Sequence, residues 1–200
     1  MGLFSAPMLV PLLIAASLLL GCGRIGYDAL GDGGLPPVDG AGPPDGTIPP
    51  DGTVPPGRLP VTGVAAGSRH SCGWNADRVW CWGDNADGQL GDGSTTLRAS
   101  PTEISLADVV DIALGDAHSC ARNATGRLYC WGGNEEGRLG DGTTTPRRTP
   151  TLLTTPSVQR FDLGWRHTCA LFEDATLSCW GNNFYGQLGD GTTTDRHKPV

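Results

Sequence analysis

Three histidines stand in one repeated setting: His70, His118 and His167 are each followed two residues later by a cysteine. In a closed ring of repeats such residues would converge toward the axis, where imidazoles ligate metals or move protons. A neutral imidazole hydrogen-bonded to a neighbouring strand is the competing use of one histidine per repeat. Six cysteines fall into three close pairs, Cys72 with Cys81, Cys120 with Cys130 and Cys169 with Cys179, a supply for disulfides or for zinc. Asp92, Asp141 and Asp190 sit in Gly-Asp-Gly steps, yet none has the Asp-x-Asp-x-Asp-Gly spacing of a calcium loop, so they read as turn formers. The chain contains no Gly-x-Ser-x-Gly, no His-Glu-x-x-His and no phosphate-cradling glycine loop. No catalytic, metal-binding or cofactor-binding residue is therefore assigned.

The elements that must position these residues are short. With 31 Gly and 16 Pro in 200 residues, long helices, bundles and coiled coils are excluded. Six Trp, three Tyr and four Phe suffice to anchor small β-units. The net charge is -7, and no basic cluster exceeds Arg147-Arg148. Such a chain is repelled by phosphate backbones, so no nucleic-acid partner is expected.

Residues Met8 to Leu20 form an apolar core interrupted only by Pro11. It is shorter than the ~20 residues a membrane-spanning helix needs, and it reads as a signal-peptide core. Leu19-Leu20-Gly21-Cys22 follows at its end and resembles the bacterial lipobox. That resemblance implies removal of residues 1–21 and acylation of Cys22, whose chains contribute ~0.8 kcal/mol per buried CH₂ to holding the protein on a membrane. An ordinary secretory peptide cleaved nearby is the alternative, and either way the chain is exported. Residues 22–60 are a Pro/Gly/Asp-rich linker in which PPDGT recurs. This composition buries no core and predicts a disordered, extended, solvated spacer.

Residues 61–200 carry one pattern three times. Its anchors are Gly-x-x-His-(Ser/Thr)-Cys from Gly67, Gly115 and Gly164, then Cys-Trp-Gly from Cys81, Cys130 and Cys179, then glycine-rich loops from Asn85, Asn134 and Asn183. The Cys-Trp-Gly anchors lie 49 residues apart, and the repeats run over about 61–109, 110–158 and 159–200. Segments such as Arg127–Trp131 and Thr176–Trp180 alternate with period two and end in Gly/Asn/Asp clusters, which predicts strands and turns. Apolar strands are also expected over Val109–Leu114 and Val158–Leu163.

The Gly-x-x-His strand, the Trp-Gly step and the Asn-x-x-Gly-(Gln/Arg)-Leu-Gly loop resemble the regulator-of-chromosome-condensation repeat family. The resemblance implies an all-β fold, a partial β-propeller of about three blades in which the histidine and tryptophan are blade-building residues. Relatives in that family close with seven blades and bind proteins or small ligands through their loops.

Removing Cys22 from the cysteine count leaves two per repeat, which pair within repeats as disulfides. Nine residues lie between Cys120 and Cys130 and between Cys169 and Cys179, an odd number, so direct opposition across a hairpin needs an odd loop, Ala124-Thr125-Gly126 in the second repeat. Eight residues lie between Cys72 and Cys81, so the first loop is even, Ala76-Asp77 or a four-residue version. Zinc competes for these thiols, but the spacings lack Cys-x-x-Cys and export favours disulfides.

Positions that differ between repeats are expected to face solvent, and they nominate Trp74, Trp80, Arg122, Arg127, Phe172 and Tyr185 as an interaction surface. The reading is a non-catalytic, exported lipoprotein at the outer membrane or cell surface, presenting propeller repeats to an unknown protein or surface ligand. A propeller-borne hydrolase or lyase and a purely structural surface component are the alternatives. Pro101, Pro150 and Pro199 are equivalent, so the chain stops one residue into a further strand, and a fragment of a longer propeller, completed by blades of a longer product or a partner, is expected.

Overall fold

The computed structural model describes residues 59–200; the expected signal peptide, Cys22 and nearly all of the expected linker lie outside the described residues. The described residues are all-β, with three antiparallel sheets and no helix among them. The first sheet is β1 (Gly63–Ala66), β2 (His70–Trp74), β3 (Val79–Gly83) and β4 (Arg98–Ile104), joined in chain order. The second repeats it with β5 (Val109–Leu114), β6 (His118–Asn123), β7 (Leu128–Gly132) and β8 (Arg147–Leu152). The third holds β9 (Val158–Leu163), β10 (His167–Phe172) and β11 (Leu177–Gly181), and Arg196 bridges to Gly181 where the outer strand pairs in the other two. Each sheet is one blade of a partial propeller.

The hairpins follow the parity of their sequences. Arg122 pairs with Leu128 and the Asn123 N–H reaches Arg127 O, leaving Ala124-Thr125-Gly126 as a three-residue loop. In the first blade Trp74 pairs with Val79 and Asn75 N–H with Arg78 O, so Ala76-Asp77 is a two-residue loop. Cys72–Cys81, Cys120–Cys130 and Cys169–Cys179 are therefore directly opposed and disulfide-bonded, with Cα atoms 4.1–4.2 Å apart. That separation is what a non-hydrogen-bonded antiparallel pair provides. Gly126 closes its loop at φ 76°, and Ala175 takes the equivalent place in the third blade at φ 65°, where a Cβ is strained.

The core lies between blades. Cys72, Val79, Leu90, Ile112 and Trp131 form one cluster across the first two, and Leu128, Leu139, Ala170, Phe172 and Trp180 form another across the second and third. Three of the nominated surface residues belong inside: Trp74, Trp80 and Phe172 are buried, at 8, 2 and 3% exposure. Trp74 is paired with Gly63 and lies over it, Trp80 faces Gly73, and Phe172 fills the space between the second and third blades. A position can differ between repeats because each seam is packed differently, not because it meets water.

Candidate binding face

The face of interest is built by the loop after each Cys-Trp-Gly strand. Its centre is a buried asparagine: Asn85 Nδ2 donates to Asp92, to Ser94 and to Thr96 O, while its Oδ1 accepts from Leu90 N–H. Asn134 and Asn183 make the same set. The Gly-Asp-Gly aspartates complete each loop. Asp92 accepts from Ser94 N–H and Oγ and pairs with Arg98 at 2.7 Å, as Asp141 does with Arg147 and Asp190 with Arg196. Partial burial alone would raise the Asp92 carboxyl, but the Ser94, Arg98 and Asn85 donors overcome it and lower the pKa to about 2. These aspartates hold turns, as expected.

Each loop leans on the following blade through one recurring seam. His70 Nε2 meets Ser119 Oγ at 2.8 Å, Ser119 Oγ donates to Gln89 O at 2.7 Å, and Trp131 Nε1 donates to the same carbonyl at 2.9 Å. In the next seam His118 Nε2 meets Thr168 Oγ at 3.1 Å and Thr168 Oγ donates to Arg138 O at 2.9 Å. A hydroxyl has one proton, already given to the carbonyl, so each histidine donates from Nε2 and is the neutral Nε2–H tautomer. Nδ1 of His70 and of His118 is left without a partner. Burial drives the His70 pKa down to about 4 despite Asp84 and Asp116, and it holds His118 well below the ordinary value. The glycine three residues earlier is needed for this, because a Cβ at Gly115 would run into the His118 ring. Gly91 and Gly140 lie against Trp131 and Trp180, where a Cβ would come within 2.7 and 2.5 Å of the indole nitrogens; Trp180 Nε1 itself has no partner.

The loop tips and the Gly-x-x-His turns share one end of the blades. In the first two blades this end is charged. Arg69 lies near Asp84 and Asp116, while Arg138 is pinned between Glu135 and Glu136, and Glu136 also binds Arg166 at 2.7 Å. Burial pushes Glu136 up, but Arg138 and Arg166 outweigh it and hold the carboxyl below its usual range. Asp87 is raised, first by burial and then by Glu135. In the third blade the same end is aromatic: Trp165, Phe184 and Tyr185 are 63, 70 and 85% exposed. Arg166 stacks 4.6 Å from the Trp165 ring, and the rings of Phe184 and Tyr185 meet edge-on at 4.9 Å. With His167, Asn182 and Gln187 they line a cleft of about 430 Å³.

Of the nominated residues, Tyr185 is on this face. Arg127 is exposed in the hairpin at the opposite end of the strands, and Arg122 is half-buried on β6, so the six nominees do not form one surface. Trp165 and Phe184 were not nominated. The signal was present, because Trp165 stands where the other repeats have Ser68 and Asp116, and Phe184 where they have Ala86 and Glu135.

Two sequence models of the regulator of chromosome condensation (RCC1) repeat match the chain, one at residues 76–122 and 125–171, the other at 61–89, 109–138 and 158–187. Together they run from residue 61 to 187. The chain belongs to the regulator-of-chromosome-condensation repeat family. Within that family it is 37% identical over 67 residues to the ultraviolet-B receptor UVR8 of Arabidopsis thaliana, across 32% of this chain and 15% of the receptor. Its fold is that of Prp20p from Saccharomyces cerevisiae, with TM-score 0.67 and 23% identity over 72% of this chain and 38% of the yeast protein, a structure described with its binding to Gsp1p and histones. The same protein bound to Kap60 gives TM-score 0.67 over 37% of that chain. The chain thus spans well under half the length of these relatives. The three disulfides suit an oxidising, exported setting.

Proposed function

We propose that this chain is a non-catalytic binding protein of the cell envelope, anchored through Cys22, spaced from the membrane by its Pro/Gly linker, and engaging a protein partner through the loop face of its third blade. The observation that carries the reading is the exposed trio Trp165, Phe184 and Tyr185. The first two blades build the same loops with Ser68, Asp116, Ala86, Asp87, Glu135 and Glu136, so the fold does not require aromatics there. Large exposed rings of this kind are the residues that dominate protein interfaces. Binding by Prp20p to Gsp1p and histones and by its complex with Kap60 is consistent with a protein partner, without naming one.

The two halves are tested separately. Cys22→Ser is expected to move the protein from the membrane fraction to the soluble one; persistence in the membrane overturns the anchor. Trp165→Ala with Tyr185→Ala is expected to weaken capture of the partner at least a hundredfold while leaving the unfolding midpoint unchanged. Undiminished capture overturns the face.

A further inference from the structure

The seam between the first and second blades is closed toward its hairpin end by an indole. Trp74 lies over Gly63, its partner across β1 and β2, and packs in one cluster with Val109, Ile112 and Ala121 of the second blade. One blade on, the same two places are held by Asp111 and Arg122, partners across β5 and β6. No ring from those places fills the next seam. A cleft of about 670 Å³ stands there instead, lined by Asp111 and Arg122 of the second blade and by Gln159, Arg160 and Phe161 of the third. Its walls are β5, β6 and β9, so it belongs to an internal seam, and it lies toward the hairpin end of the strands, away from Trp165, Phe184 and Tyr185.

The lining is unlike a packing seam. Among the described residues neither Arg122 nor Arg160 has an ion pair or a side-chain hydrogen bond, whereas Arg138 and Arg166 of the same two blades are clasped by glutamates. Arg122 is half-buried, and its Nε is buried without a hydrogen-bond partner. A guanidinium held in a seam with no acceptor is a cost to the fold that an incoming anion relieves. The one carboxylate in the lining is Asp111, raised first by burial and drawn back down by Arg122; Asp162 also acts on it but does not line the cleft. Two guanidiniums against one carboxylate leave the lining cationic in a chain whose net charge is -7.

We infer that this cleft binds a monocarboxylate with a flat apolar body: the guanidiniums of Arg122 and Arg160 take the carboxylate, the Gln159 amide donates beside them, and Phe161 packs against the body. Asp111 cancels one of the two positive charges, which suits a monoanion and disfavours a doubly charged phosphate. The volume is that of a small-ligand site. This binding site is independent of what the aromatic face binds.

The test uses the full chain carrying Cys22→Ser, with its disulfides intact, titrated calorimetrically with phenylacetate, phenylacetamide and inorganic phosphate. Phenylacetate is expected to bind with a Kd on the order of 0.1–1 mM, and the amide and phosphate at least about tenfold more weakly. Arg122→Gln and Arg160→Gln are each expected to weaken phenylacetate at least about tenfold, with near-UV circular dichroism reporting that the fold is kept. Arg160 is exposed on β9, so its variant decides the matter if Arg122→Gln does not fold. Asp111→Gly with Arg122→Trp rebuilds the closed first seam in the second and is expected to abolish binding. A short peptide ending in phenylalanine separates two sources of the carboxylate: binding that is lost on amidating its terminus assigns the site to a chain end, and binding of phenylacetate alone assigns it to a free acid. No saturable binding of either carboxylate, equal binding of phenylacetamide, or binding that survives Arg160→Gln undiminished overturns the inference.

Discussion

Two imidazoles held neutral inside the seams make stability depend on pH in a calculable way. His70 has its pKa lowered to about 4 and His118 well below its ordinary value, both through burial first. Once the chain unfolds each returns to about 6.5 and takes up a proton below that pH, which the folded state does not. The unfolded state therefore binds more protons, and stability falls as pH drops through 6.5 until the folded group also titrates. At pH 5 an imidazole of pKa 6.5 gains about 2 kcal/mol from protonation, so the His70 seam loses about 2 kcal/mol between pH 7.5 and 5, and the His118 seam adds a loss of the same sign. The carboxylates with lowered values, Asp92, Asp141, Asp190 and Glu136, contribute stability that is lost only at lower pH, outside this window. Guanidinium unfolding followed by tryptophan fluorescence, with disulfides intact, reads the effect directly. The midpoint is expected to fall steadily from pH 7 to 5, and a His70→Asn, His118→Asn double variant to be less stable at pH 7.5 but to lose most of that slope, the remainder coming from His167, which burial also lowers. A wild-type midpoint that holds or rises as pH falls, or a double variant with the wild-type slope, would refute the neutral-seam account.

Other consequences are local. Ala175 sits at φ 65° where the second blade has Gly126, so Ala175→Gly is expected to raise stability by about 0.5–1 kcal/mol in thermal unfolding. Asn134→Asp keeps the shape of the loop centre but turns a donor to Thr143 O and Thr145 O into an acceptor facing carbonyls, and a loss of about 2–4 kcal/mol is expected by denaturant titration. Replacing Cys120 and Cys130 together by Ser opens an 11-residue ring and is expected to cost about 3 kcal/mol, read as a lower melting temperature that reductant no longer shifts at that hairpin.

Hairpin geometry was legible in the sequence because parity is a strong constraint: with cysteines opposed, the residues between Cys120 and Cys130 leave a three-residue loop, and those between Cys72 and Cys81 an even one. Strands such as Val109–Leu114 were legible because apolar runs end in turn residues. The seams were not. That Ser119 and Thr168 would stand between a histidine of one blade and a loop carbonyl of another depends on how sheets stack, which no short-range pattern encodes. Burial of Trp74, Trp80 and Phe172 was missed for the same reason, since facing glycines and neighbouring blades create the space those rings fill. The aromatic face was half legible: Tyr185 stood out against Asp87 and Glu136, while Trp165 and Phe184 needed the same comparison carried across every loop position.

The central claim is that the loop end of the third blade binds another protein. The most direct measurement is site-specific photo-crosslinking in intact cells, with a photoreactive phenylalanine analogue placed at Phe184 and, as a control, at Arg127 on the opposite end of the strands. The account predicts a discrete adduct from position 184, whose peptide mass spectrum identifies a protein other than this chain, and none from position 127. No adduct from position 184, adducts only to further copies of this chain, or the same adduct from both positions would contradict it.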